Sequence, residues 1–155
     1  MITVGARCTF LKASDELRKA LQTTGRKANY SPGQTLFRED EGNSGVYLLL
    51  KGKLRMTVRG LPKLDRLFSA GSVLGLPSTF TGHSYSLTAQ AITEVDAIHV
   101  PSDLFLQLVR EQPELCREAT EMLGREVTFI QSALAERRKQ AAKARISPAE
   151  IGALV

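Results

Sequence analysis

Residues 71–91 read GSVLGLPSTFTGHSYSLTAQA. Val73 and Leu74 make a short strand after the turn at 69–72. Gly75 then opens Leu76-Pro77-Ser78-Thr79, which predicts about one turn of helix: glycine supplies the bend, and proline is tolerated in a first helical turn. A loop through His83 leads into strict alternation over 84–91. Tyr85, Leu87, Ala89 and Ala91 take one face, and Ser84, Ser86, Thr88 and Gln90 the other, the period of a half-buried strand. A strand, a glycine-opened helical turn and a returning strand can aim backbone N–H groups into one concave space, a geometry suited to anions.

Upstream, the chain is short strands separated by glycine. Ser31-Pro32-Gly33-Gln34 is a strong turn signal, followed by a strand at Thr35-Leu36-Phe37. A polar turn over 39–45 precedes a nearly continuous apolar run from Val46, which predicts a strand covered on both faces. After Gly52, residues 53–59 alternate, Gly60-Leu61-Pro62 breaks the pattern, and 63–68 alternate again with Leu64, Leu67 and Phe68 apolar. With a last strand over 94–100, about eight strands recur at roughly 8–12-residue spacing, which predicts an antiparallel jelly roll or β-barrel. Before the roll, Ser14 is set to cap a short helix ending at about Thr24, with Asp15 and Glu16 in its first turn, Phe10 and Leu11 just before it and Gly25 closing it.

Downstream the chain turns helical. Ser102 is read as the cap of a helix that places Leu104, Phe105 and Leu108 inward. Pro113 starts a longer helix, to about residue 144, with Gly124 its single glycine. Leu123, Val127, Ile130 and Leu134 follow a 4-3-4 spacing, weakly continued by Ala141. That seam of about two heptads fits two such helices packing across a dimer axis. The expected class is mainly β within α+β: one domain over 1–155, with the roll at about 26–101 and a helical tail at 102–145.

The totals bound the function. Hydrophobic residues are 43% of the 155, enough for a packed core, and the net charge is +5. Arg137, Arg138, Lys139, Lys143 and Arg145 carry much of that excess, so the body of the domain is near balance. Cys8 and Cys116 lie in no CxxC pair and His occurs twice, so two reduced thiols are expected and no zinc site. No apolar run suits a signal peptide or a membrane span, and the expected location is the cytoplasm.

This order of elements resembles the cyclic nucleotide-binding domain, in the form of the effector half of catabolite activator and FNR-type transcription regulators. The residues carrying the resemblance are Tyr30-Ser-Pro-Gly33-Gln-Thr-Leu36-Phe37-Arg-Glu39, Val46-Tyr47-Leu-Leu49-Leu-Lys-Gly52-Lys-Leu54 and Gly71-Ser-Val73-Leu-Gly75. The ending Val95-Asp-Ala-Ile-His-Val-Pro-Ser102-Asp-Leu-Phe105 and Pro113-Glu-Leu115 match too. The resemblance covers roughly 10–145. It implies a phosphate-binding cassette in which a Gly-Glu-Leu turn offers a carboxylate to the ribose, and an Arg followed by Ser or Thr neutralises the cyclic phosphate.

Here Gly75 matches the glycine, Leu76 stands where the Glu belongs, Tyr85 falls at the Arg, and Ser86 keeps the hydroxyl. Pro77 removes an N–H. The base-contacting positions fall near Ile130 and Gln131. The candidate ligand-binding set is therefore Gly75, Leu76, Pro77, Ser78, His83, Tyr85, Ser86 and Gln131. Each has an ordinary alternative: His83 as a solvated loop residue, Tyr85 as core, Ser78 and Ser86 as turn and strand polar residues.

The reading is a non-enzymatic, homodimeric sensor domain that does not hold cAMP or cGMP in the usual way and takes a nucleotide or another small molecule, if any. The alternatives are a protein-interaction module with a dead pocket, and nucleic-acid contact through the basic tail. The resemblance implies a winged helix-turn-helix in full-length relatives, for which this chain leaves no room. DNA is thus expected as a partner only if a longer chain supplies that domain, and no membrane is expected.

Overall fold

A computed structural model of the chain describes residues 6–9 and 11–143. A two-residue strand, β1 (Ala6–Arg7), leads to helix α1 (Asp15–Thr24). Ser14 caps α1 as its sequence predicts, with Oγ accepting the Leu17 N–H. Gly25 closes α1 without left-handed backbone. What selects glycine is close approach: a Cβ there would lie 2.5 Å from Ile98 Cγ2 and 2.6 Å from the His99 carbonyl oxygen.

Seven strands and one short helix follow: β2 (Arg26–Tyr30), β3 (Thr35–Phe37), β4 (Gly45–Lys51), β5 (Leu54–Thr57), β6 (Arg66–Phe68), β7 (Val73–Leu74), α2 (Leu76–Thr81) and β8 (Thr88–Ala91). Then come β9 (Val95–Pro101), α3 (Ser102–Glu111) and α4 (Pro113–Lys143). The strands form two sheets, ordered β1-β6-β5-β8-β3 and β2-β9-β4-β7. Among the described residues only β1 and β6 pair in parallel; the other pairs are antiparallel. The expected roll is present as two open sheets, not as a closed barrel. Core side chains come from both, Leu54, Met56, Phe68 and Ala89 from one and Val46, Leu48, Ala97 and Val100 from the other. The apolar run of β4 is buried through Leu49 because α3 packs against this strand too.

Four local readings are corrected. The alternation at 63–68 is not one strand: Pro62–Leu64 form a 3₁₀ turn, closed by Leu64 N–H to the Leu61 carbonyl, and only Arg66–Phe68 pair in a sheet. Over 84–91 only Thr88–Ala91 form a strand, although burial alternates along the whole segment. Ser102 does not cap α3; it is the first helical residue, preceded by Pro101 with no side-chain cap. Leu104 faces outward at 39% exposure, and the buried face of α3 is Phe105, Leu108 and Val109.

α4 presents two stripes of the same 4-3-4 spacing. Leu115, Ala119, Met122 and Glu126 are buried against the rest of the molecule. The seam predicted from sequence lies beside them: Leu123, Ile130 and Leu134 are half-buried and Val127 is 39% exposed. Ala144, Arg145, the residues beyond them and Phe10 lie outside the described residues, as do the side chains of Arg137, Ala141 and Lys143. Cys8 is buried and Cys116 half-buried, both as free thiols.

Candidate functional site

The site is built on the turn between β7 and α2. Gly75 stands ahead of α2 at φ +90°, a left-handed conformation that L side chains rarely adopt. Space confirms the requirement, since a Cβ there would sit 2.9 Å from the Gly45 carbonyl oxygen and 3.4 Å from Tyr85 Cε1. Leu76 and Pro77 open α2 as predicted, and Leu76 is 1% exposed, its side chain in the hydrophobic core. A carboxylate at this position would have to leave the core to meet a ribose.

Tyr85 is the centre of the arrangement. Its side chain is 2% exposed and stacks on Phe37 at 4.1 Å between centroids and 19° between planes. The hydroxyl donates to the Gly45 carbonyl at 2.7 Å and accepts the N–H groups of Ser44 and Gly45, each at 3.1 Å. One donor and two lone pairs are all a phenol has, so these three bonds use it completely, with Ser44 Oγ alongside at 3.1 Å. Gly45 can offer its backbone in this way because of its own φ of +134°; a Cβ there would fall 2.0 Å from the Val100 carbonyl oxygen.

The neighbouring loop is held to α2 by Asn43, whose Nδ2 donates to Ser78 Oγ at 2.8 Å and Thr79 Oγ1 at 3.1 Å. An aromatic chain continues outward from Phe37 to Tyr47 (5.6 Å) and from Tyr47 to His99 (4.8 Å). Burial pushes the Tyr47 phenol up to about 12, a hydrogen bond with Ser44 pulling the other way. His99 Nε2 bonds with the Ser44 carbonyl at 3.0 Å.

The structure therefore brings Gly75, Leu76, Ser78 and Tyr85 together. His83 and Ser86 are exposed beside them, and Gln131 is exposed on α4.

A model of the cyclic nucleotide-binding domain family matches residues 27–112, which span β2 through α3 and every candidate site residue except Gln131. The chain belongs to that family. Within it the chain is similar to the nitrogen fixation regulation protein FixK of Bradyrhizobium diazoefficiens, 30% identical over 131 residues, 82% of this chain and 53% of that protein. The CRP-like cAMP-activated global transcriptional regulator of Mycobacterium tuberculosis is 24% identical over 111 residues, 70% of this chain and 50% of that one. Among solved structures, the Thermus thermophilus catabolite activator protein superposes with a TM-score of 0.69 at 20% identity, covering 81% of this chain and 60% of that chain. The chain spans about half the length of the two curated relatives. Within the cyclic nucleotide-binding domain family, the chain is thus similar in sequence to these transcriptional regulators and shares the fold of the catabolite activator protein.

One feature of this cyclic nucleotide-binding domain escaped the sequence reading. Arg66 on β6 and Glu126 on α4 form a bidentate ion pair at 1% exposure each. The guanidinium also lies over the Phe129 ring at 4.4 Å and the Phe68 ring at 5.3 Å. Both residues carried a signal. Arg66 shares the period-two face of Leu64 and Phe68, and Glu126 falls in register on the stripe of Leu115, Ala119 and Met122. A charge on an apolar face of each of two elements is the pattern of a buried pair.

Proposed function

We propose that this is a regulatory domain whose cassette does not grip cAMP or cGMP through a cyclic-phosphate contact, and that acts by association, not catalysis, as a cytoplasmic homodimer. The observation that carries the reading is Tyr85, buried where the resemblance implies an arginine, its hydroxyl consumed by Ser44 and Gly45. A charge-assisted arginine–phosphate contact contributes roughly 1.5–3 kcal/mol. Its absence, with that of the ribose carboxylate at Leu76, weakens binding by about two to four decades at about 1.4 kcal/mol per decade.

Calorimetric titration with cAMP and cGMP tests this directly. The expected result is no saturable heat at micromolar ligand; a micromolar or tighter Kd for either nucleotide would overturn the reading. The half-buried seam supports the dimer, since Val127 is exposed beside Leu123, Ile130 and Leu134 on a helix already packed along its other stripe. Sedimentation should show a dimer that Val127→Asp with Ile130→Asp converts to a monomer, and an unchanged mass would count against it. A broad thermal-shift screen of small acids and nucleotides separates a domain with another ligand, which would raise the melting point, from a protein-interaction module, which would not respond. Any DNA contact belongs to a longer chain or to the basic run at 137–145, and would appear as steeply salt-dependent retention lost on neutralising Arg137, Arg138 and Lys139.

A further inference from the structure

The loop at 40–45 is held at both ends by a single residue. At one end the backbone of Tyr85 pairs with it, Asp40 N–H donating to the Tyr85 carbonyl at 2.8 Å and Tyr85 N–H to the Glu41 carbonyl at 3.0 Å. At the other end the phenol closes on Ser44 and Gly45 with the three bonds already described. Asn43, between these anchors, carries the constraint to Ser78 and Thr79 of α2. α2 in turn packs against α3 and α4. An unbroken series of contacts therefore runs from the cassette interior to the long helix, made wholly by the chain's own groups.

Two converging amides and a carbonyl around one oxygen are recognition chemistry for a hydroxylated or anionic guest. Here the guest is covalently attached, so it is present at an effective concentration that no free molecule has to supply. A diffusible effector shifts a protein between arrangements only by binding one better than the other. A tethered one imposes its preference permanently.

We propose that Tyr85 is a built-in occupant of the cassette, whose phenol holds the 40–45 loop and α2 in one arrangement against α4, so that the state of α4 does not depend on a small molecule. This rests on the reading that the cassette does not grip a cyclic nucleotide. It goes further by naming what stands in the ligand's place and what that does.

The test is hydrogen exchange read by peptide on the whole chain, with two variants. Tyr85→Phe keeps the ring and removes the hydroxyl, leaving the part-buried Ser44 amide and the buried Gly45 amide and carbonyl without that partner. Exchange should rise by about tenfold or more at 44–45, and should also rise across α2 and in the α4 segment facing it. Tyr85→Gly removes the whole p-cresol moiety. Added p-cresol should restore protection saturably, with toluene, the same shape without the hydroxyl, at least about fivefold less effective.

If faster exchange in Tyr85→Phe stays confined to 44–45, or if p-cresol and toluene act alike, Tyr85 is an ordinary core residue and the proposal fails. Should Tyr85→Gly not fold even with p-cresol, the Tyr85→Phe pattern decides alone. A separate arm adds cAMP to the unsubstituted protein. Protection gained there would overturn the cassette reading itself, an outcome distinct from any result with the Tyr85 variants.

Discussion

The cassette and the junction between roll and long helix solve the same problem with opposite chemistry. Each places polar atoms in the apolar interior, at 2% exposure for Tyr85 and 1% for Arg66 and Glu126. At the cassette the group is neutral and, besides Ser44 Oγ, its partners are backbone amides and a carbonyl, which are present whatever the side chains nearby. At the junction both groups are charged and, apart from a long contact of Arg66 Nε with the Leu64 carbonyl at 3.4 Å, their hydrogen bonds are to each other. A neutral group satisfied by backbone loses only its own bonds when it is changed. A buried ion loses the one thing that makes its burial tolerable. The cassette should therefore be the more forgiving region, and the junction the one where a single substitution is worse than two.

That difference sets the largest expected effect. Glu126→Ala should destabilise by roughly 3–5 kcal/mol, because it strands the Arg66 guanidinium in an apolar shell, and Arg66→Ala should cost a similar amount. The double replacement Arg66→Met with Glu126→Leu, apolar residues of comparable reach, should return most of that loss. Urea unfolding of the parent, Arg66→Met, Glu126→Leu and the double variant closes the cycle. If the double variant is as unstable as the sum of the singles, the pair is not the coupled unit that its geometry describes.

Next in size is the cassette counterpart. Tyr85→Phe retains the stack on Phe37 and leaves the Ser44 and Gly45 amides without an acceptor, which costs about 1–3 kcal/mol. The comparison predicts a smaller loss than Glu126→Ala in the same urea assay. A larger loss would mean that the phenol carries more of the fold than its three bonds account for.

What the sequence made legible follows the same division. Ser14 before Asp15 and Glu16, the unbroken apolar run of β4 and the Pro113 start of α4 each express a local rule, and each element forms where that rule puts it. The Tyr85 alternation is equally local, so its buried face was readable. Its hydrogen bonds were not, since they run to residues about forty positions away. Arg66 and Glu126 are sixty positions apart, so the apolar face that each shares was readable but their meeting was not. Leu104 misled for the opposite reason: helical spacing admits it to an inward stripe, and only the packing of α3 against α4 and β4 decides which edge of that stripe is covered. Periodicity reports faces; it does not report which polar residues on two faces will meet.

The junction has a second, exposed contact that sharpens the contrast. Ser14 donates to Glu118 on α4 twice, from its N–H at 2.7 Å and from Oγ at 2.6 Å, while Oγ also caps α1. Water can replace Glu118 here, as it cannot replace Glu126. Ser14→Ala should therefore cost only about 0.5–2 kcal/mol, the range of a lost helix cap. Ser14→Asp would keep the cap but set two carboxylates against each other, and should be less stable than Ser14→Asn. Equal stability for Asp and Asn would show that the Glu118 contact contributes nothing beyond the cap.

The smallest effect is at the rim of the cassette and appears only in alkali. Tyr47 sits between Phe37 and His99, and its hydroxyl makes long contacts to the Leu36 carbonyl at 3.3 Å and Ser44 Oγ at 3.4 Å and pairs with the Tyr30 side chain. Burial lifts its pKa from 10 in the unfolded chain to about 12. The fold thus favours the protonated phenol. Its contribution is fully present below pH 10 and is lost as the pH rises toward 12, where the unfolded chain gains by ionising first. Tyr47→Phe cannot ionise and should lose less stability across that window than the parent protein, while differing little from it at neutral pH, where two long contacts and the bond with half-buried Tyr30 are given up. Urea midpoints taken every half unit through the window measure both slopes. Parallel slopes would assign the alkaline loss to other groups, of which the half-buried Tyr30, also shifted upward by burial, is the first to test.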